Sequence, residues 1–101
     1  MDALMVEKVG PSSFRLFGEL DLAKASDLDR ILAEETAQGG ELQLDLSEVE
    51  FIDSSAIGVL ARAAKNLEGR GRLILVSPTR ATRLALDIVQ LDRRDNIEIV
   101  G

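Results

Sequence analysis

Apolar and polar residues change period along this chain, and each change marks an element. Leu4 to Val9 reads as a first strand, Gly10-Pro11-Ser12 as a turn and Phe14 to Phe17 as a second strand, so the two predict a hairpin. Gly18 and Asp21 break the pattern. Ala23 to Gln38 takes helical spacing, with Ala25, Leu28, Ile31 (or Leu32) and Glu35 setting the register and Gly39-Gly40 as the stop. Leu42 to Leu46 alternates with the strand period of two. Ser47, Glu48 and Glu50 interrupt it, and Val49, Phe51 and Ile52 return the chain to the core. A helix is predicted over Ser55 to Gly69. Its apolar stripe is Ile57, Leu60, Ala64 and Leu67, widened by Ala56, Val59 and Ala63, and a face that wide packs against a sheet. Ser55, Gly58, Arg62, Lys65 and Asn66 form the opposite stripe. After Gly69-Arg70-Gly71, the apolar run Leu73 to Val76 suits a covered central strand. Ser77 is expected to cap the next helix, with Pro78 at its first position and Ala81, Leu84, Ala85, Ile88 and Leu91 following at helical spacing. Ile97 to Val100 closes as a short strand.

The predicted order is β-β-α-β-α-β-α-β. Alternating strands and helices give an α/β layer fold with a partly parallel sheet. Right-handed crossovers put successive helices on one face when the strands progress in one direction. No linker, low-complexity stretch or internal repeat divides residues 1–101, so one domain is expected.

Composition narrows the chemistry. With 101 residues and 46% hydrophobic content, the chain can bury a core without staples. It has no cysteine, which removes disulfides and thiolate metal sites, and no histidine, which removes the usual general base and commonest metal ligand. Three phenylalanines are its only aromatic residues, too few to stack bases or sugars. A net charge of −6 disfavours nucleic acid and favours a basic protein face. No signal peptide and no apolar run of membrane-spanning length is read, so a cytoplasmic protein without membrane contact is expected. No cofactor is implied.

One stretch carries candidate chemistry. In FIDSSAIGVL, Phe51 to Leu60, Asp53-Ser54-Ser55 sits at a strand-to-helix junction. Three readings compete. Asp and Ser are preferred helix caps, and one of them suffices for that task. A helix start also favours an anion through its free N–H groups and its dipole, so Ser54 could carry a phosphate. A catalytic serine would need a base, and without histidine only Lys8, Lys24, Lys65 or a carboxylate remains; neither S-x-x-K nor G-x-S-x-G is present. No catalytic residue is therefore expected. Ser55, Gly58 and Arg62 fall at i, i+3 and i+7 on one line, with Ser54 at its edge. Glycine inside a helix costs about 1 kcal/mol relative to alanine. Gly58 therefore marks either a close approach by another chain or packing under the preceding strand.

Three segments together resemble the STAS domain family: G-E-L-D-L-A at Gly18 to Ala23, L-D-L-S-E-V-E-F-I-D-S-S-A-I-G-V-L at Leu44 to Leu60, and G-R-G-R-L-I-L-V-S-P at Gly69 to Pro78. The likeness covers nearly the whole chain in order and is strongest to bacterial anti-sigma factor antagonists. It implies a STAS-like mixed sheet of four to five strands with the helices mainly on one face. It also implies a switch. The unphosphorylated antagonist binds an anti-sigma factor that is a serine kinase, phosphorylation of the first serine of D-S-S releases it, and a serine phosphatase resets it. By position, Ser54 is the phosphoacceptor, Asp53 and Ser55 flank it, and Asp21 lies near it and aids kinase recognition. Many relatives read D-S-S-G, and this chain has Ala56 there. The alternative within the family is a non-switching subunit of a stress-signalling scaffold or of a lipid-transport ATPase complex. An acyl carrier protein, also small and acidic, expects D-S-L and an all-helical bundle, which the strands around D-S-S oppose. A monomer is expected.

Overall fold

A computed structural model describes residues 3–101. Five strands and three helices follow the predicted order: β1 (Met5–Gly10), β2 (Ser13–Leu20), α1 (Leu22–Thr36), β3 (Gly40–Ile52), α2 (Ser54–Leu67), β4 (Gly71–Val76), α3 (Arg80–Ile88) and β5 (Ile97–Val100), with a 3-10 turn at Leu91–Arg93 before β5. The strands lie in the sheet in chain order. β1 pairs antiparallel with β2, as the hairpin predicts, and every later pair is parallel. The inward residues of the sheet and all three helices share one hydrophobic core that includes Leu16, Leu44, Leu75, Leu28, Leu60 and Leu86. The helices therefore cover a single face. The other face carries ion pairs from strand to strand: Arg15 with Asp45 and Glu7, and Arg72 with Glu41 and Glu98.

The third strand differs from its expectation. Leu42 to Leu46 is only the first part of a strand of 13 residues. Its partner β2 pairs Arg15 with Asp45 but Phe17 with Glu48, and Gly18 with Val49 but Glu19 with Phe51. Each step inserts one extra residue on β3, a bulge, and each bulge reverses which side chains point inward. Leu42, Leu44 and Leu46 are buried, then Val49, then Ile52. Ser47, Glu48 and Glu50 thus lie within the strand, on its outer positions. Phe51, expected in the core, is 49% exposed because the second bulge turns it outward. Gly18, expected to end β2, lies inside it at a bulge with φ of +81°, a conformation glycine adopts without cost.

The last helix differs more. Thr79, not Ser77, caps it: the Thr79 hydroxyl accepts from the Thr82 amide, and Pro78 lies before the cap. Ser77 instead takes a positive φ of +52°. Thr82 and Leu86 are buried, whereas Leu84 and Ile88 are 61% and 76% exposed. The apolar spacing had the right period, but of its residues within the helix only Ala85 packs against the core. Thr82 is drawn inward because its hydroxyl, with that of Thr79, hydrogen bonds to the Val49 carbonyl on the bulged end of β3. That carbonyl lies beyond the part of β3 that pairs with β4. Leu91 is buried as expected, but from the 3-10 turn rather than the helix. In α1 the inner stripe is Leu28, Leu32 and Thr36; Thr36 takes the place expected of Glu35, its hydroxyl donating to the Leu32 carbonyl at 2.8 Å.

Candidate functional site at the start of the second helix

β2 and β3 run parallel and end side by side, with Leu20 opposite Ile52. Asp21 and Asp53 are the next residues, and each opens a helix. The site therefore sits at the carboxyl ends of neighbouring parallel strands, where open α/β sheets place their binding crevices. The Asp53 amide donates to the Leu20 carbonyl at 3.0 Å and ties the two junctions together.

Asp53 caps both helices. Its Oδ1 accepts from the Ser55 amide at 3.0 Å, the Ala56 amide at 3.1 Å and the Ser55 hydroxyl. Its Oδ2 accepts from the Leu22 amide in the first turn of α1 at 3.1 Å. The Ser55 hydroxyl bond, joined by the bonds from the three amides, lowers the Asp53 carboxyl below its ordinary value against the opposing effect of burial. Asp21 occupies the cap position of α1 without making a cap bond, and its Oδ1 is buried without a hydrogen-bond partner. Two acidic residues in equivalent positions thus have different tasks.

This arrangement sorts the three readings of D-S-S. Capping belongs to Asp53, with Ser55 as its ligand. Ser54, first residue of α2, is exposed, and its hydroxyl takes part in no hydrogen bond among the described residues. The helix start is not the open anion cradle expected from the sequence, because Asp53 already occupies the amides of Ser55 and Ala56. Of the candidate bases, Lys24 is engaged elsewhere: its Nζ donates to the Glu19 carbonyl at 2.6 Å. Among the described residues, no group of three metal-ligating side chains converges.

Ser54 and Gly58 lie on the crest between two grooves. One, of about 510 Å³, runs between α1 and α2 past Ser26, Asp29, Ser55 and Arg62. The other, of about 320 Å³, runs between α2 and the end of α3 past Ile57, Ala61, Val89, Gln90 and Leu91. Gly58 does not pack under a strand: a Cβ built on it meets nothing within 4 Å. Its surroundings are open. Gly58→Ala is therefore expected to stabilise the free protein by roughly 0.5–1 kcal/mol through helix propensity. Chemical denaturation checks this, and a loss of stability would mean that α2 requires the glycine. Arg62 is exposed and its Nη1 donates to Asp29 at 2.8 Å across the first groove. The sequence reading missed Asp29, Val89 and Gln90. The only local signal for Gln90 is its left-handed backbone, φ of +55°, at a residue type that gives no warning of it.

The family model of the STAS domain matches residues 3–98. The chain belongs to the STAS domain family. Solved structures agree with that assignment. A protein from Thermotoga maritima described as a candidate anti-sigma factor antagonist superposes with a TM-score of 0.76 at 28% identity, over 97% of this chain and 86% of that one. An anti-sigma factor antagonist from Mycobacterium paratuberculosis gives 0.76 at 26% identity, over 94% and 83%. SpoIIAA, an anti-sigma factor antagonist solved in its unphosphorylated form, gives 0.75 at 22% identity, over 97% and 88%, a likeness of fold. No curated protein matches this sequence. No helix among the described residues is long and apolar enough to cross a membrane. Ala56 is fully buried and its amide donates to Asp53.

Proposed function

We propose that this STAS protein is an anti-sigma factor antagonist, a binding protein and not an enzyme, switched by phosphorylation of Ser54. Unmodified, it binds an anti-sigma factor that is a serine kinase. The kinase phosphorylates Ser54, the complex separates, and a serine phosphatase restores the binding form. One observation carries the reading: in D-S-S, Asp53 and Ser55 are locked to each other while the Ser54 hydroxyl stands free on the crest between two grooves. The similarity to anti-sigma factor antagonists supports it.

A phosphate at Ser54 adds roughly −1.5 to −2 charge next to Asp53. The cap bonds of Asp53 do not use the Ser54 hydroxyl, so the modification leaves the fold standing and alters the surface that a partner meets. Across an interface, the added charge opposes an acidic partner group and lifts out of place any side chain seated against Gly58. Asp21, with its buried oxygen unpaired, is read as an aid to kinase recognition at the same edge.

The test is intact mass after incubation with ATP and lysate of the native cell, with Ser54→Ala alongside. A gain of one phosphoryl group that vanishes in Ser54→Ala is the expected result. The unmodified form alone should then retain the kinase on an affinity column. Phosphoryl transfer to both proteins would reassign the acceptor, with Ser55 next in line. No transfer, with a stable partner still retained, would replace the switch by a non-switching subunit of a stress-signalling or lipid-transport ATPase complex.

A further inference from the structure

A phosphate on Ser54 needs a counter-charge, and the helix start does not supply the usual one. The Ser55 and Ala56 amides are bonded to the Asp53 carboxylate, and the Ile57 amide donates to the Asp53 carbonyl at 3.0 Å. Asp53 beside Ser54 and Asp21 at the opening of α1 are acidic and offer none. The cation in the same groove as Ser54 is Arg62. It lies eight residues further along α2, about 12 Å of helix rise. The guanidinium is held on Asp29 across the groove, and the tilt of helical side chains toward the N-terminus sets the direction in which it can swing once released. On the i, i+4, i+8 row from Ser54 to Arg62 stands Gly58, which has empty space where a side chain would be. No side chain at position 58 stands between Arg62 and Ser54.

We infer that Arg62 exchanges partners on phosphorylation, leaving Asp29 for the phosphate on Ser54. This rests on the proposed switch at Ser54 and adds its mechanism within the chain. The present bond of Arg62 to Asp29, 2.8 Å long, joins two side chains that are both well exposed, at 59% and 41%. Exposed pairs of this kind are weak and are given up easily. A phosphate is the stronger acceptor: it carries about twice the charge of a carboxylate and offers three oxygens to the fork of a guanidinium. The exchange changes both walls of the groove in one event. On α2, Arg62 folds back across Gly58 and fills the notch. On α1, Asp29 loses its counter-ion and faces the groove as an unpaired negative charge. A partner that fitted the unmodified groove then meets an occupied notch and a wall of altered sign. Arg94 borders the other groove beside Ser54, so it is the competing cation and its removal is the control.

Phosphoserine placed at position 54 by genetic encoding tests this without any kinase, so the result is independent of whether a kinase uses Ser54. The readout is the second ionisation of the phosphate, followed by 31P NMR at low salt. The chain with native Arg62 should titrate about 0.3–0.7 pH units below its Arg62→Gln variant, the range of a solvent-screened pair. Arg62→Lys should restore part of the difference, Asp29→Asn should lower the titration further by releasing Arg62, and Arg94→Gln should leave it unchanged. Equal titration with and without Arg62 would overturn the exchange, as would a shift that follows Arg94 instead. Arg62 is on the surface, and a matching circular dichroism spectrum for each variant confirms that the comparison is between folded proteins.

Discussion

Asp53→Ala lowers the stability of this protein by roughly 2–3 kcal/mol, more than the loss of an ordinary helix cap. A cap residue is worth about 1 kcal/mol, and up to about 2 in favourable cases, because it satisfies amides that the helix leaves without partners. Asp53 does this for the Ser55 and Ala56 amides of α2 and also for the Leu22 amide of α1. Asp21, which holds the cap position of α1, makes no cap bond in compensation. Removing one carboxylate therefore frees donors on two helices, each leaving a cost of about 1 kcal/mol or more where water does not reach it. For a domain of this size that corresponds to a fall in melting temperature of about 10–20 °C. A fall of less than a few degrees would mean that Asp21 rotates into the vacant role.

The same residue sets an acid limit. The folded-state pKa of Asp53 is depressed, so its contribution is fully present above the unfolded value, near 3.9, and is lost as pH falls through the lower folded value. Asp53→Asn keeps an acceptor oxygen without the charge. It should be less stable than the native chain at pH 7, and the gap should begin to narrow below about pH 4. Urea denaturation of both proteins at pH 7 and at pH 3.5 measures this. A gap that stays constant with pH would show that geometry alone, and not charge, makes the cap.

Gly71→Ala has the other large effect expected. Gly40 and Gly71 are opposite each other where β3 and β4 begin. A Cβ on Gly71 would lie 2.0 Å from the Gly40 carbonyl oxygen and 2.7 Å from its nitrogen. Those are backbone atoms, and the Gly40 amide is itself bonded to the Arg70 carbonyl at 2.9 Å, so neither strand can yield without breaking that contact. A destabilisation of about 3 kcal/mol, the upper part of the range for overpacking, is expected, seen as a lower denaturation midpoint at unchanged slope. A loss below about 1 kcal/mol would mean that the strand ends separate freely. Gly71→Ala and Gly58→Ala are the same chemical change with opposite expected signs. One methyl group meets backbone and the other meets open space.

Much of the fold was legible in the sequence. Period two at Leu42 to Leu46, the wide apolar face of Ile57 to Leu67 and the glycines at 39, 40, 69 and 71 depend on neighbours within a few residues, and those elements stand where the pattern puts them. The location of D-S-S at a strand-to-helix junction was legible for the same reason. The division of labour within it was not. Asp53 and Ser54 are adjacent and both suit a helix start, and only the Leu22 amide, 31 residues away in sequence, selects Asp53 to bridge two helices.

What the sequence by itself determined is the order of elements, the parallel layer arrangement that this order requires, and the acidic, histidine-free chemistry of the surface. Tertiary structure alone decided the phase of β3 beyond Leu46, the buried side of α3, the bond between Arg62 and Asp29, and the open space around Gly58. The reason is physical. Hydrophobic period records that a segment has an inside and an outside. It does not record which stripe is inside when two will serve, as Leu84 and Ile88 compete with Thr82 and Leu86 in α3. That choice is made by long-range polar bonds, here from two threonine hydroxyls to the Val49 carbonyl, which exist only once the chain has folded.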